Sequence, residues 1–226
     1  MNKIVERIYS KVILITSILT FGIWKIGELI QPNIENIINS RKMSIIITYI
    51  VGIVVSYSFY IQVNRIIIIL CEKFDWIKRI FLRDGFFKGK WMGVIYCEDD
   101  LRFVIMDIEQ NVNSIFISGN SYSMEGNYLG SMNSQSVNFN LENKKMWASY
   151  IAFSNKREYL MDGLINVNYQ LDKKGIPVCM KGYAYQLMVS KKYVSIFYKS
   201  SFNGSITSAI DYFRWTHLDE IKKNKL

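Results

Sequence analysis

Residues 43 to 61, MSIIITYIVGIVVSYSFYI, carry no charged side chain. As a helix, a stretch of this length rises roughly 28 Å at about 1.5 Å per residue, close to the hydrocarbon thickness of a bilayer. A helix that is greasy on every side has no place on the surface of a soluble domain. The chain is therefore expected to be held in a membrane. About 140 of its 226 residues remain beyond the anchor.

A first apolar run, Val12 to Ile30, precedes this one. It is clean to Trp24 and then carries Lys25 and Glu28, which share a helix face and can pair or snorkel to the interface. Pro32 is expected to end this helix. The second helix is expected over 43–70, interrupted by Gln62, Asn64 and Arg65 and resumed by Ile66 to Leu70. About a dozen residues between the runs are enough to turn the chain back. Residues 1–71 thus read as a two-helix transmembrane hairpin.

A cleaved signal peptide is the competing reading of the first run. Its basic flank (Lys3, Arg7, Lys11) fits, but no alanine precedes Ala148, so the small-residue cleavage site is missing. Basic residues flank the N-terminus and follow the second helix (Lys73, Lys78, Arg79, Arg83, Lys88, Lys90). The loop between has only Arg41 and Lys42 against Glu35. Both ends are therefore expected on the cytoplasmic side. Residues 72–85 alternate bulky apolar with basic groups. They read either as an interfacial amphipathic helix or as a plain extension of the second helix.

From Phe86 the pattern changes to short β-branched and aromatic runs separated by Asn, Ser, Gly and Lys. Candidate strands are 90–97, 102–109, 112–118, 121–129, 135–141, 146–153, 158–169, 180–190, 193–200 and 209–217. The expected fold is a transmembrane hairpin followed by an all-β domain over 86–217, an antiparallel up-and-down barrel of about 8–10 strands. Residues 218–226 read as a basic tail. Alternation splits 158–169 into a face with Leu160, Asp162 and Leu164 and a face with Met161, Gly163, Ile165 and Val167.

Signatures of catalysis are scarce. No GxSxG, P-loop or HExxH occurs. The only histidine is His217, and Cys71, Cys97 and Cys179 show no paired spacing, so no metal, cofactor or disulfide framework is expected. Asp107 and Glu109 share a strand face and read as a solvated face before a carboxylate pair. A binding protein is expected before an enzyme.

Basic groups interleaved with aromatics give the binding candidates: Arg102, Trp147, Tyr150, Arg157, Tyr185, Tyr198, Lys199 and Arg214. Arg102 and Arg214 each sit inside an apolar run expected to be a strand. Facing a lumen, an arginine needs a counter-charge, from a residue such as Asp162 or from a phosphate. Gly89-Lys90-Trp91-Met92-Gly93 is a G-x-W-x-G start, similar to the first strand of small lipocalin-like barrels. There Trp91 is expected to close the floor, and Gly93 to let strands approach.

Two transmembrane helices followed by a strand-rich domain opening on GKWMG resemble the two-transmembrane, β-barrel effectors of bacterial CBASS anti-phage operons. These are also described as SMODS-associated two-transmembrane, β-strand-rich effectors. The resemblance implies a bacterial inner-membrane receptor whose barrel binds a cyclic dinucleotide made by a partner synthase. Binding would drive homo-oligomerisation and disruption of the membrane, killing the infected cell. Within the helices, Ser56, Ser58, Gln62 and Asn64 are then candidates for contacts between copies. The alternative is a membrane-tethered lipocalin-like carrier or sensor of an apolar ligand. It calls for a lumen lined mainly by aliphatic side chains.

Overall fold

The computed structural model describes the backbone of residues 3–38, 41–97, 100–111, 114–155, 157–188 and 190–223. The chain divides into two compact units, one spanning Val5–Phe81 and the other Leu82 onward together with the first four residues.

The helical unit holds α1 (Lys3–Ile38), α2 (Arg41–Lys73) and α3 (Asp75–Leu82). Its spans Tyr9–Ile26 and Tyr49–Lys73 are long and apolar enough to cross a membrane. Almost none of either span is buried within the protein, as Leu14, Ile18, Phe21, Ile53 and Tyr57 illustrate. Such side chains suit a surround of lipid rather than a protein core. The two helices run antiparallel, because Trp24 meets Tyr49 (centroids 5.5 Å apart) while Thr16 meets Asn64 (3.5 Å). Gly52 lets the Trp24 ring lie against the α2 backbone. Lys25 and Glu28 form the expected exposed pair, 2.8 Å apart.

Pro32 does not end α1, which continues through it to Ile38. A proline removes one backbone hydrogen bond, and a long helix can carry that loss as a local interruption. The connection is correspondingly shorter than expected, and residues 39–40 lie outside the described residues. Within 72–85 the structure shows neither plain extension nor one continuous helix: α2 stops at Lys73, α3 follows, and a 3-10 turn spans Arg83–Gly85.

The second unit is a closed antiparallel barrel of eight strands in sequence order. They are β1 (Gly89–Cys97), β2 (Asp100–Gln110), β3 (Ile115–Tyr122), β4 (Tyr128–Asn140), β5 (Lys145–Ser154), β6 (Arg157–Leu171), β7 (Pro177–Gln186) and β8 (Lys191–Lys199). β1 closes the sheet on β8, with Gly93 opposite Phe197. A Cβ at Gly93 would overlap the Ile196 carbonyl, so the seam needs this glycine. The expected strands 112–118 and 121–129 are corrected: the turn Ser123–Asn127, with Gly126 at positive φ, separates β3 from β4. The expected strand 180–190 stops at Gln186, before the turn that opens on Leu187.

The expected strand 209–217 is wrong in kind. It lies in a helix, α4 (Ile206–Lys223), which also absorbs much of the expected basic tail. Ser205 caps its start, accepting the Ser208 N–H. Ala209, Ile210 and Phe213 then pack outside the barrel on Met92, Val94 and Phe103. That burial outweighs the strand propensity of the local residues.

One end of the barrel is stoppered by the segment that leads into β1. Phe87 is fully buried, with its ring 4.6 Å from Phe139 and 4.9 Å from Tyr169. The buried Gln110 side chain holds the backbone of this segment. Its Oε1 accepts from Phe87 N (2.8 Å) and Lys88 N (3.2 Å), and its Nε2 donates to Gly85 O (2.7 Å). Trp91 Nε1 donates to Phe87 O, and Lys199 reaches Phe86 O across the same end.

Phe87→Ala is expected to cost about 3–5 kcal/mol of barrel stability, as a large cavity in a packed core does. Gln110→Ala is expected to cost roughly 2–4 kcal/mol, since it orphans buried backbone groups. Urea unfolding followed by tryptophan fluorescence checks both. Losses below about 1 kcal/mol would mean that the floor is not held this way.

Candidate functional site

Strand parity decides what faces the lumen. Gly163 pairs with Tyr150 and Gln186, and Ala184 pairs with Tyr193, so these residues share the inner face. Arg102 on β2 sits opposite Ile95 on β1, and both line the same cavity. That cavity has a volume of about 80 Å³. Its polar lining includes Arg102, Ser121, Tyr150, Gln186 and Tyr193; its apolar lining includes Ile95, Val104, Met161 and Phe197.

The polar groups are linked. The Arg102 guanidinium lies over the Tyr193 ring, 5.7 Å from its centroid. Tyr193 donates its hydroxyl to Gln186 Oε1 (3.3 Å), and Gln186 Nε2 points at Met161 Sδ (2.9 Å). The Tyr150 hydroxyl donates to Tyr185 O (3.3 Å). Gly163 makes room for that phenol, because a Cβ there would overlap the Tyr150 ring. Burial pushes the Tyr150 phenol up to about 12; Tyr193 adds to the shift and Arg102 opposes it. Tyr150 is therefore a neutral hydrogen-bonding group at ordinary pH, beside a permanent cation. Ser195 lies on the same wall, fully buried, and its hydroxyl has no hydrogen-bond partner among the described residues.

Chemically, this arrangement can pair with a small anionic group. A guanidinium supplies charge and two donors in one plane, and phenols supply further contacts. Asp162 does not serve as the counter-charge considered for Arg102. It alternates with the inward Met161 and Gly163 and so lies on the exposed outer face.

The other candidates are dispersed. Trp147 is outward and 43% exposed. Tyr185 is outward as well, with Lys192 lying over it and Tyr183. Tyr198 lies beneath α4, stacked on His217 at 3.7 Å. Lys199 belongs to the stoppered end, over Phe86 and Trp91. Arg214 is corrected: it is on α4, not in a strand, and donates to Met124 O outside the barrel. The side chain of Arg157 lies outside the described residues. Asp107 and Glu109 are exposed on the outer face, away from the cavity. Among the membrane candidates, Ser56 and Asn64 face α1, whereas Ser58 and Gln62 are exposed. Gln186 and Ser121 were not singled out, because a lone polar residue gives no signal until barrel parity is known.

No protein family, curated protein or solved structure matches this chain.

The Tyr150 shift has a sign. Its folded pKa stands above the ordinary 10, so the stability it reflects is full below about pH 10 and is lost as pH rises through about 12. Ultraviolet titration should find a late-ionising tyrosine near pH 12 that is absent in Tyr150→Phe. His217 behaves oppositely. Burial, aided by Lys181, lowers its pKa below the ordinary 6.5, so α4 docking is full above that pH and weakens as pH falls through the lowered value. Near-ultraviolet circular dichroism should record that loss in the native chain and not in His217→Phe.

Proposed function

We propose that this chain is a membrane-anchored receptor whose barrel recognises an anionic second messenger of the cyclic dinucleotide class. The observation that carries the reading is Arg102, set in the lumen wall over Tyr193 and close to Tyr150. Guanidinium pairs with phosphate, and phenol rings offer faces on which bases stack. The two apolar helices supply the anchor. The hairpin sets the start of α1 and the end of α2 on one side, and the basic flanks support reading that side as cytoplasmic.

Cavity size sharpens the proposal. Drug-sized ligands occupy about 300–1,000 Å³. A lumen of about 80 Å³ admits one small anionic group and not a whole dinucleotide. Binding therefore entails displacement of side chains at the polar end. A ligand that favours the widened state shifts the population toward it. In the effector family that this chain resembles, such a shift would drive assembly and disruption of the inner membrane. We read the chain as a binding protein rather than an enzyme, since its same-face carboxylates Asp107 and Glu109 on β2 point away from the cavity.

A tethered carrier of an apolar ligand is the second reading. It is favoured by Ile95, Val104, Met161, Ile165 and Phe197 in the same lining.

Calorimetric titration of the full chain in nanodiscs, with a panel of cyclic di- and trinucleotides and a panel of fatty acids, separates the two. The receptor reading expects one nucleotide to bind and Arg102→Gln to weaken it at least about tenfold, the size of a lost charge-assisted contact. Binding of a fatty acid alone, unchanged by Arg102→Gln, would overturn it.

A further inference from the structure

The short helix α3 begins two residues beyond the apolar span that ends at Lys73. It does not continue straight on from α2. Asn64 meets Thr16, and Lys11 Nζ donates to Phe81 O at 2.7 Å. Along a straight helix Phe81 would lie about 25 Å past Asn64, whereas Lys11 is only about 8 Å from Thr16 along α1. A lysine arm of about 6 Å does not bridge that difference, so α3 bends back toward the start of α1. The break at Phe74 permits this turn, and Lys11 satisfies a carbonyl at the C-terminal end of α3.

The bend sorts the faces of α3. Lys78 is turned inward, 1% exposed, with its ammonium 3.5 Å from Asp75. Trp76 and Ile80, four apart and so on one face, are 63% and 58% exposed. Phe74 is exposed next to them, with the Lys73 ammonium over its ring. Lys73 and Arg79 are exposed around this apolar face, and Glu72 and Asp75 are the acidic neighbours. A tryptophan, an isoleucine and flanking cations within a few residues of a membrane span are the composition of an interfacial anchor.

We propose that α3 is an interfacial helix that seats Trp76 and Ile80 among the lipid headgroups, with Lys73 and Arg79 at anionic phosphates. The proposal rests on α1 and α2 crossing the bilayer, and not on any ligand of the barrel. Anionic lipid strengthens the seat through the basic residues, and neutral lipid retains the apolar part of it.

The test uses the full chain reconstituted in vesicles of phosphatidylcholine, with or without phosphatidylglycerol, brominated just below the headgroup. Bromine quenches only nearby indoles, so each tryptophan's share is read as the native chain minus its Phe variant. Trp24, near the far end of the α1 span, is the reference for the anchor. The expected result is that Trp76→Phe removes a clear share of the quenching. That share grows with phosphatidylglycerol, and the growth is lost in the Lys73→Gln, Arg79→Gln double variant. If Trp24→Phe removes its share while Trp76→Phe removes none, the hairpin is inserted and the proposal is wrong. If neither removes any, the hairpin is not in the bilayer, and the proposal falls with it.

Discussion

A barrel of this size has an interior only if its ends are managed, and here one end is sealed by the chain's own approach to β1. Phe87 fills that end, and Gln110 binds the backbone that carries it through three hydrogen bonds. The rest follows from this seal. Phe139, Tyr169 and Trp91 have something to pack against. The cavity near Arg102 is left as an interior space lined by both polar and apolar side chains. The same segment is the covalent link to the helical unit.

The two units present different surfaces. In the hairpin the apolar side chains point outward, and the small or polar residues (Thr16, Gly52, Asn64) lie between helices. In the barrel the order is reversed, with Met106, Ile165 and Phe197 inside and Asp107, Asp162 and Asn168 outside. One chain can satisfy both because hydrophobicity acts only by removing apolar surface from water, into a core or into lipid. Gln110 and Ser195 are buried polar exceptions in the barrel; Gln110 is the bonded one. It is a buried amide, and its three hydrogen bonds offset the cost of that burial.

Where periodicity is regular the fold was legible. The charge-free run 43–61 lies within α2, and the alternation of 158–169 matches the two faces of β6. Trp91 was legible as a floor residue because a glycine-flanked indole has few other uses, and it is buried at the stoppered end. The last element was misread because Ile, Tyr, Phe and Trp favour strands as single residues. The spacing of Ile206, Ala209, Ile210 and Phe213 was helical throughout and carried the correct answer. Arg214 went astray with that element. Pro32 misled in the opposite sense, because a breaker is weighed locally while a long helix is stabilised along its whole length. The site was less legible than the fold. Arg102 was nameable as an arginine in an apolar strand, but Gln186 and Ser121 became visible only once register fixed which parity faces inward.

Arg102 and the small cavity belong in one argument. A guanidinium in a lumen wall bears a desolvation cost that an aromatic face offsets only in part. A lumen already shaped to a large ligand would leave that cation facing open space until the ligand arrived. A nearly filled lumen avoids this by letting Tyr193 lie against the charge, with Tyr150 and Gln186 completing the wall. On the proposed reading, a phosphate would exceed the ring in attraction for the guanidinium and would compete with Tyr193 for it. On the same proposal, the filled lumen would be the resting state, and opening would follow from an anionic group taking a place beside Arg102.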